Sequence, residues 1–341
     1  MKKILIYLIS FILICFIVPA IFTKPTIKTT SNDVQNQEEK INEQSQIIQS
    51  NNNHYEYQKY GVITLLHSST GQVEQVNLDD YLCNVVSAEM PADFEVQALE
   101  AQAIVARTYT IYKILSKKHN NADICDDSKC CQAWISKEDR LARWEEGKRE
   151  SNWQKICNAV NNTAGKIVTY NNQPINAFFH SNSGGVTEIP VNVWGGTGYP
   201  YLQSVQTSGE DGYKQYASEI EFTKEELLNK LKEKYADISI DFSKDDDIKV
   251  LEYTESTRVK TVKFGNHNIS GVEARTILGL RSTNFEITKD GDKIKFSVKG
   301  YGHGVGMSQT GADAMAKQGS SSEDIIKHFY TGVEIKEVNS L

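Results

Sequence analysis

A single glutamate, Glu89, lies where a predicted helix must end, because Pro91 disfavours the helical conformation in the residue before it. Its neighbours Val86, Met90 and Phe94 are apolar. A carboxyl group in such surroundings has a raised pKa and can donate a proton to a leaving group, which is the chemistry of glycosidic-bond cleavage. The alternative is a solvated or helix-capping glutamate, the common fate of this residue type. The residues around Glu89 therefore permit an acid catalyst without naming a reaction.

Two glycine-containing segments carry polar side chains that could contact a ligand. One covers residues 180–185 with the sequence HSNSGG, and the other covers residues 302–309 with the sequence GHGVGMSQ. Glycine lets a backbone approach a ligand closely, and functional residues are frequent on such turns. The candidate substrate-binding residues on these segments are His180, Ser181, Ser183, His303, Ser308 and Gln309.

The same two segments argue against other kinds of site. The second lacks the lysine of a phosphate-binding loop and does not match the G-x-G-x-x-G pattern, so a nucleotide site is not expected. Neither segment contains the G-x-S-x-G elbow of a serine hydrolase. His303 keeps a second interpretation as a buried structural histidine.

Arg107 and Tyr201 each have two interpretations. Arg107 lies on the predicted helix after Glu89, where it could form a surface ion pair or donate its guanidinium fork to an oxygen of a ligand. Tyr201, like Trp194 and Tyr199 nearby, could belong to the core or stack on a sugar ring. Both are candidate substrate-binding residues.

Four nitrogen or sulfur ligands occur within thirteen residues: His119, Cys125, Cys130 and Cys131. Such a set suits tetrahedral zinc, and with four protein ligands no position remains for an activated water, so a structural ion is expected. The spacing is not a standard C-x₂-C pair. Disulfides and free thiols are the alternatives, although a bridge between adjacent cysteines is strained.

The elements that must position these residues mix strands and helices without βαβ alternation, so we expect an α+β fold with a largely antiparallel sheet and packed helices. Helices over 79–90 and 93–117 would place Glu89 at the corner between them, with Asp93 as the second N-cap. Thr223 and Glu226 predict a capping box, and Asp290-Gly291 predicts a hairpin. Further strands are predicted over 62–66, 73–76, 166–170 and 175–179, and short helices over 308–317 and 323–330.

The first 59 residues differ in composition from the rest. We expect a cytoplasmic stub over 1–3, an uncleaved transmembrane anchor over 4–23 and a flexible polar linker over 24–59. Residues 60–341 would then form one domain outside the cytoplasm, held at the cell membrane by a single span. The net charge of −7 contains no basic run, which argues against a nucleic-acid partner.

Three motif blocks occur in order, at residues 87–109, 177–202 and 302–312. With them the chain resembles the stage II sporulation protein D family, which includes amidase-enhancer proteins, from about residue 60 to the C-terminus. The resemblance implies a lytic transglycosylase that cleaves MurNAc-GlcNAc strands of peptidoglycan to 1,6-anhydro-MurNAc ends during engulfment. Glu89 would act as acid and then as base, because the 6-hydroxyl of the muramic acid attacks internally. Gln102, within the first block, joins the candidate substrate-binding residues.

The resemblance carries further expectations. It implies zinc in the loop around Cys130, although some related proteins have a histidine where this chain has that cysteine. It implies two partners, a cell-wall amidase/endopeptidase and a polytopic membrane protein of the engulfment machinery. It also places the domain on the mother-cell membrane, facing the space between the two membranes.

Two other functions stay open. The chain could be a non-catalytic glycan-binding protein that stimulates a cell-wall amidase, since the family includes such proteins. Alternatively, the loop around Cys130 could be the catalytic zinc centre of a hydrolase. Glycan products and the effect of chelation on the fold distinguish these possibilities.

Overall fold

A computed structural model describes residues 55–341, which form one compact unit. The predicted stub and anchor and most of the predicted linker lie outside the described residues. Within 55–341, no helix is both long and apolar enough to span a bilayer. The helices are α1 Leu78–Glu89, α2 Val96–Ser116, α3 Lys137–Arg143, α4 Arg149–Asn162, α5 Pro190–Trp194, α6 Lys224–Lys232, α7 Gly271–Leu278, α8 Gln309–Lys317 and α9 Ser322–Phe329.

The strands are short and belong to five small sheets in the described part of the chain. They are β1 Val62–Leu66, β2 Val73–Asn77, β3 Ile124–Cys125, β4 Lys166–Tyr170, β5 Gln173–Pro174, β6 Phe179–His180, β7 Ala217–Thr223, β8 Ile248–Tyr253, β9 Val259–Phe264, β10 His267–Ser270, β11 Asn284–Asp290, β12 Lys293–Lys299, β13 Met307–Ser308 and β14 Glu334–Glu337. Most pairs are antiparallel, while β1 pairs with β3 and β6 with β13 in parallel. The expected α+β class with largely antiparallel pairing is confirmed.

The folded unit begins before residue 60, where the linker was predicted to end. The hydroxyl of Tyr57 donates to Asp79 at 2.9 Å and accepts from the amide of Gly165 at 3.0 Å. The amide of Gln58 donates to Asn339 near the C-terminus at 3.0 Å. Residues 55–59 are polar in sequence, yet tyrosine and backbone groups tie them to elements far along the chain.

Helix α2 lies at the centre of the first core. Its alanine-rich sequence is buried on all sides between Ala98 and Ile111, because small side chains let α1, α4, α8 and α9 pack closely around it. The predicted N-cap at Asp93 is wrong. The helix begins at Val96, and the amide of Glu95 is instead held at 2.6 Å by the carboxylate of Asp313.

A second core lies between residues 217 and 299. Sheets β7-β12-β11 and β8-β9-β10 pack there with α6 and α7 around Phe222, Phe264 and Phe296. The Thr223–Glu226 capping box and the hairpin around Asp290-Gly291 are both confirmed. The single predicted domain is thus one compact unit with two main cores.

The two cores are joined by a buried arginine from the second. Arg258 is 2% exposed, and its guanidinium donates to the carbonyl oxygens of Val186 and Ser183 at 2.9 and 2.7 Å. Gly304 is required beside it, because a Cβ there would lie 2.5 Å from the Arg258 Nη2 atom. Arg258 therefore fixes the second core against both glycine-containing segments singled out in the sequence.

Candidate active site

Glu89 is the last residue of α1, where Met90 leaves the helical conformation as Pro91 requires. Its Oε1 atom accepts a hydrogen bond from the amide of Ala133 at 2.8 Å, and its Oε2 atom accepts one from Gln309 Nε2 at 3.3 Å. Burial raises the pKa of the Glu89 carboxyl, and these two hydrogen bonds lower it without offsetting the effect of burial. Glu89 therefore has the raised pKa that a general acid needs.

Gln309 connects Glu89 to the central helix. It is 6% exposed at the start of α8, and its Nε2 atom also lies 3.5 Å from the Oε1 atom of Gln102 on α2. Gln102 is fully buried, and its own Nε2 has no hydrogen-bond partner within residues 55–341. The structure thus brings together three of the predicted site residues.

The amide of Ala133, which holds Glu89, is positioned by its neighbour Gln132. The buried Nε2 atom of Gln132 donates to Tyr81 on α1 at 3.0 Å and to Thr110 on α2 at 2.9 Å. The loop is therefore pinned between the two helices that meet near Glu89. Sequence analysis missed Ala133, because a backbone donor leaves no trace in the side-chain pattern.

The predicted metal ligands converge just before Ala133. One ligand atom from each of the four residues lies within 4.8 Å of the others, and the cysteines among them are free. His119 Nε2 is 3.3 Å from Cys131 Sγ and 3.9 Å from Cys130 Sγ. In a tetrahedral zinc site, nitrogen and sulfur ligands are separated by about 3.6 Å, between these two values. His119, Cys125, Cys130 and Cys131 therefore fit a four-coordinate ion.

Two cavities form a groove past Glu89. One, of about 610 Å³, contains Glu89 at its wall, and the next, of about 690 Å³, contains Phe94 and Tyr213. The cavities share Pro91, Asp93 and Gln215, so they lie side by side. A groove of this kind suits a chain-like ligand better than a small molecule.

The two predicted histidines lie together, with their ring centres 5.7 Å apart. Burial and the charge of Arg258 lower the pKa of His180 to about 3, and its Nδ1 atom donates to the carbonyl of Val305 at 3.1 Å. Burial and the proximity of His180 also lower the pKa of His303. The His303 ring packs 5.1 Å from the half-exposed ring of Trp194. Neither histidine ring bonds to Glu89 in residues 55–341, so their predicted binding role stays a prediction.

Ser183 and Ser308 do not face the groove, because both hydroxyls donate to Glu210. This carboxylate is 2% exposed and also accepts from Thr207 and Thr310 at 2.7 and 3.0 Å. Burial raises the pKa of Glu210, but the hydrogen bonds from Ser183, Ser308 and Thr207 outweigh burial, so the pKa is lowered. Glu210, which sequence analysis missed, holds the two glycine-containing segments together. Ser181 is only partly buried, and its carbonyl accepts from the amide of Thr310 at 3.1 Å.

Arg107 and Tyr201 belong to the interior rather than to the groove. Arg107 is fully buried, where its guanidinium pairs with Asp79 at 3.0 Å and donates to the carbonyl of Thr163 at 2.7 Å. Tyr201 is 7% exposed, and its hydroxyl accepts from the amide of Asn176 at 2.9 Å. Their predicted substrate-binding roles are therefore corrected to structural ones, since both side chains are buried and lie outside the two cavities of the groove.

Comparison with known proteins gives a consistent result. Residues 67–170 match the family model described as Stage II sporulation protein. The chain is 36% identical over 282 residues to stage II sporulation protein D of Bacillus amyloliquefaciens, covering 82% of this chain and 79% of that protein. The corresponding protein of Bacillus subtilis (strain 168) is 36% identical over 281 residues, covering 82% of this chain and 80% of that protein.

A third relative carries a different name. The amidase enhancer of Bacillus subtilis (strain 168) is 31% identical over 304 residues, covering 74% of this chain and 40% of that protein. The higher identity and the more complete coverage belong to the two sporulation proteins. On these comparisons, the chain belongs to the stage II sporulation protein D family.

Proposed function

We propose that this protein is a lytic transglycosylase that cleaves the glycan strands of peptidoglycan. The observation that carries the proposal is Glu89, a carboxyl group with a raised pKa at the wall of the first of these two adjacent cavities. Protonated Glu89 gives its proton to the glycosidic oxygen as the bond from that oxygen to C1 of MurNAc breaks. The carboxylate then takes the proton of the C6 hydroxyl as this oxygen bonds to C1. No water is consumed, and Glu89 ends the cycle protonated.

A single carboxylate is sufficient for this reaction, whereas most glycoside hydrolases require two about 5–9.5 Å apart. Asp93 and Glu145 also line the cavity of Glu89, but both are exposed, and Glu145 pairs with Lys148 at 2.8 Å. An exposed carboxylate lacks the burial that raises the pKa of Glu89. The contrast supports Glu89 as the acid and makes Asp93 a useful control.

The four-residue ligand set supports a structural zinc ion. His119, Cys125, Cys130 and Cys131 fill four positions, so none remains for an activated water. When bound, the ion supplies a rigid cross-link at the start of the segment that leads to Ala133. The chain itself then presents the Ala133 amide to Glu89, and no step of the cleavage passes through the metal.

The setting is proposed from the names of the relatives and from the sequence. We propose that the enzyme acts during sporulation, on the outer side of a membrane that residues 4–23 span. A cell-wall amidase/endopeptidase and a polytopic membrane protein are the proposed partners. Removal of the stem peptides by the amidase would give the groove access to the glycan.

The test is digestion of purified, peptide-free glycan strands followed by mass spectrometry. We expect 1,6-anhydro-MurNAc ends from the native chain and from Asp93→Asn, and at least a hundredfold slower release from Glu89→Gln, about the contribution of general acid catalysis. Reducing ends in place of anhydro ends would indicate a hydrolase. Anhydro ends produced by Glu89→Gln at the native rate would overturn the assignment.

A second function is favoured by one specific observation, the similarity to a protein named amidase enhancer. In that case the groove binds glycan without cutting it. Stimulation of a cell-wall amidase by Glu89→Gln at the native level, with no anhydro ends from the native chain, would support this alternative.

A further inference from the structure

The cavity that contains Glu89 also contains two arginines that the proposed reaction does not use. Arg140 and Arg143 lie on α3, and Trp144 follows directly at its end. Among residues 55–341, neither guanidinium has a hydrogen bond or an ion pair with the protein, and the buried Nε atom of Arg140 has no partner. Two positive side chains without acceptors beside a reacting group indicate a place for an anion.

Arg140 is held in a defined orientation. Its guanidinium carbon lies 4.7 Å from the centre of the Trp144 ring, within the range of a cation–π contact. Burial and the charge of Arg143 lower the pKa of Arg140, so its surroundings would gain from a negative charge. The Nη groups of a guanidinium held beside an aromatic ring can still donate hydrogen bonds, and such N–H groups match the two oxygens of a carboxylate.

The other charged residues of the cavity do not form ion pairs with the two arginines. Lys148 pairs with Glu145, and both are exposed. Asp93 lines the cavity without an ion pair to either arginine in the described part of the chain. Glu89 is held by Ala133 and Gln309 instead. The two arginines are therefore the uncompensated cations of this wall.

We propose that Arg140 and Arg143 bind a carboxylate carried by the muramic acid residue of the strand being cut. The proposal rests on the proposed function, since it takes a peptidoglycan strand as the ligand. MurNAc differs from GlcNAc by its lactyl ether, which ends in a carboxylate when free and in a stem peptide with its own carboxylates when substituted. Either source supplies the same chemistry. The arginines would then distinguish MurNAc from GlcNAc next to Glu89 and set the register of the cut.

The experiment measures binding by calorimetry in the Glu89→Gln background, so that the ligand is not consumed. Three MurNAc-GlcNAc oligosaccharides serve as probes, with a free lactyl carboxylate, with the lactyl group as a neutral amide, and with a stem peptide. An oligomer of GlcNAc alone is the fourth. Arg281→Gln is the matched control, because Arg281 is exposed and stacks on Tyr301 at 5.2 Å without lining this cavity.

We expect Arg140→Gln to weaken binding of a carboxylate-bearing probe about tenfold, the effect of one lost hydrogen bond to a charged group. Arg143→Gln should act in the same direction, Arg140→Lys should restore part of the affinity, and Arg281→Gln should change nothing. A loss confined to the free lactyl probe identifies that carboxylate. A loss confined to the peptide-bearing probe identifies the stem peptide.

Two results would overturn the proposal. One is unchanged affinity for every carboxylate probe in Arg140→Gln and Arg143→Gln. The other is an equal loss for the neutral amide and GlcNAc probes, which would mean that the arginines only support the fold. The outcome is independent of catalysis. If the native chain released no anhydro ends while the arginine variants still lost carboxylate binding, the proposed function would fail and this inference would stand.

Discussion

At the scale of residues, the state of the Glu89 carboxyl follows from its surroundings. Burial favours the neutral form, while the Ala133 and Gln309 hydrogen bonds favour the charged form. The proposed mechanism needs both forms in turn. A site that buries the group yet keeps two donors on it can support each of them.

Replacing Glu89 by glutamine tests how far the carboxyl group lowers the stability of the fold at high pH. Because the folded-state pKa of Glu89 is raised, its stabilising contribution is full below the ordinary glutamate pKa and is lost as pH rises through the folded pKa. We therefore expect Glu89→Gln to raise the melting temperature relative to the native chain near pH 8 and to change it little near pH 4. Thermal melts at the two pH values measure the difference, with Glu255→Gln as control because Glu255 is exposed and forms no ion pair within residues 55–341. A stabilisation equal at both would contradict the assignment.

Gln309 provides a test in catalysis. Its hydrogen bond lowers the pKa of Glu89, so removing it in Gln309→Leu should raise that pKa further. The alkaline limb of the pH–rate profile for anhydro product should move to higher pH, because the acid stays protonated longer. Gln154→Leu, at an exposed position of α4 that lines neither cavity, is the control. An unmoved limb would mean that Gln309 does not act on the carboxyl group.

At the scale of elements, the sequence predicted those features that residues close together in the chain determine. The capping box at Thr223, the hairpin around Asp290-Gly291 and the end of α1 at Pro91 depend on neighbours within a few residues, and all three are confirmed. The start of α2 was missed, because Asp313, far along the chain, holds the amide of Glu95. The donor at Ala133 was missed for the same reason, since packing places it on Glu89.

The loop that carries the four proposed zinc ligands gives the prediction at this scale. Cys125→Ser should remove a bound zinc ion, lower the melting temperature and slow anhydro-product release, because the segment leading to Ala133 loses its cross-link. Cys157→Ser, outside the ligand set, should leave all three unchanged. Metal analysis, thermal melting and product assays on the same samples distinguish the roles. Loss of zinc and product at an unchanged melting temperature would argue for a catalytic ion instead.

At the scale of the whole molecule, two cores are held in one unit by charged groups in the interior. The sequence of the second core predicted its last hairpin, but not β7 to β10. Nor did it predict that Arg258 would reach the first core, or that Glu210 would accept hydrogen bonds from hydroxyls of three separate segments. A charged residue ordinarily lies at the surface, and only the assembled fold supplies the acceptors that let it be buried.

Arg258 carries the corresponding prediction. Arg258→Met leaves the carbonyl oxygens of Ser183 and Val186 without donors, so we expect the free energy of unfolding to fall by about 3–5 kcal/mol. The second core should then melt separately from the first, which calorimetry would record as two transitions. Lys260→Met, an exposed site on β9 paired with Glu252, is the control. A single transition at the native melting temperature would show that other contacts join the two cores.

The hydrogen bond from Ala133 to Glu89 links the geometry of the proposed metal loop to the carboxyl group of the acid. Ala133 follows the proposed ligand Cys131 by only two residues, a reach of about 7 Å along the chain. A shift of a bound ion would reach the donor through this short segment, and the hydrogen bonds of Gln132 to Tyr81 and Thr110 would oppose it. We therefore expect a substitution in the proposed ligand set to disturb the hydrogen bond from Ala133. The pKa of the Glu89 carboxyl would change with it, and not only the stability of the loop.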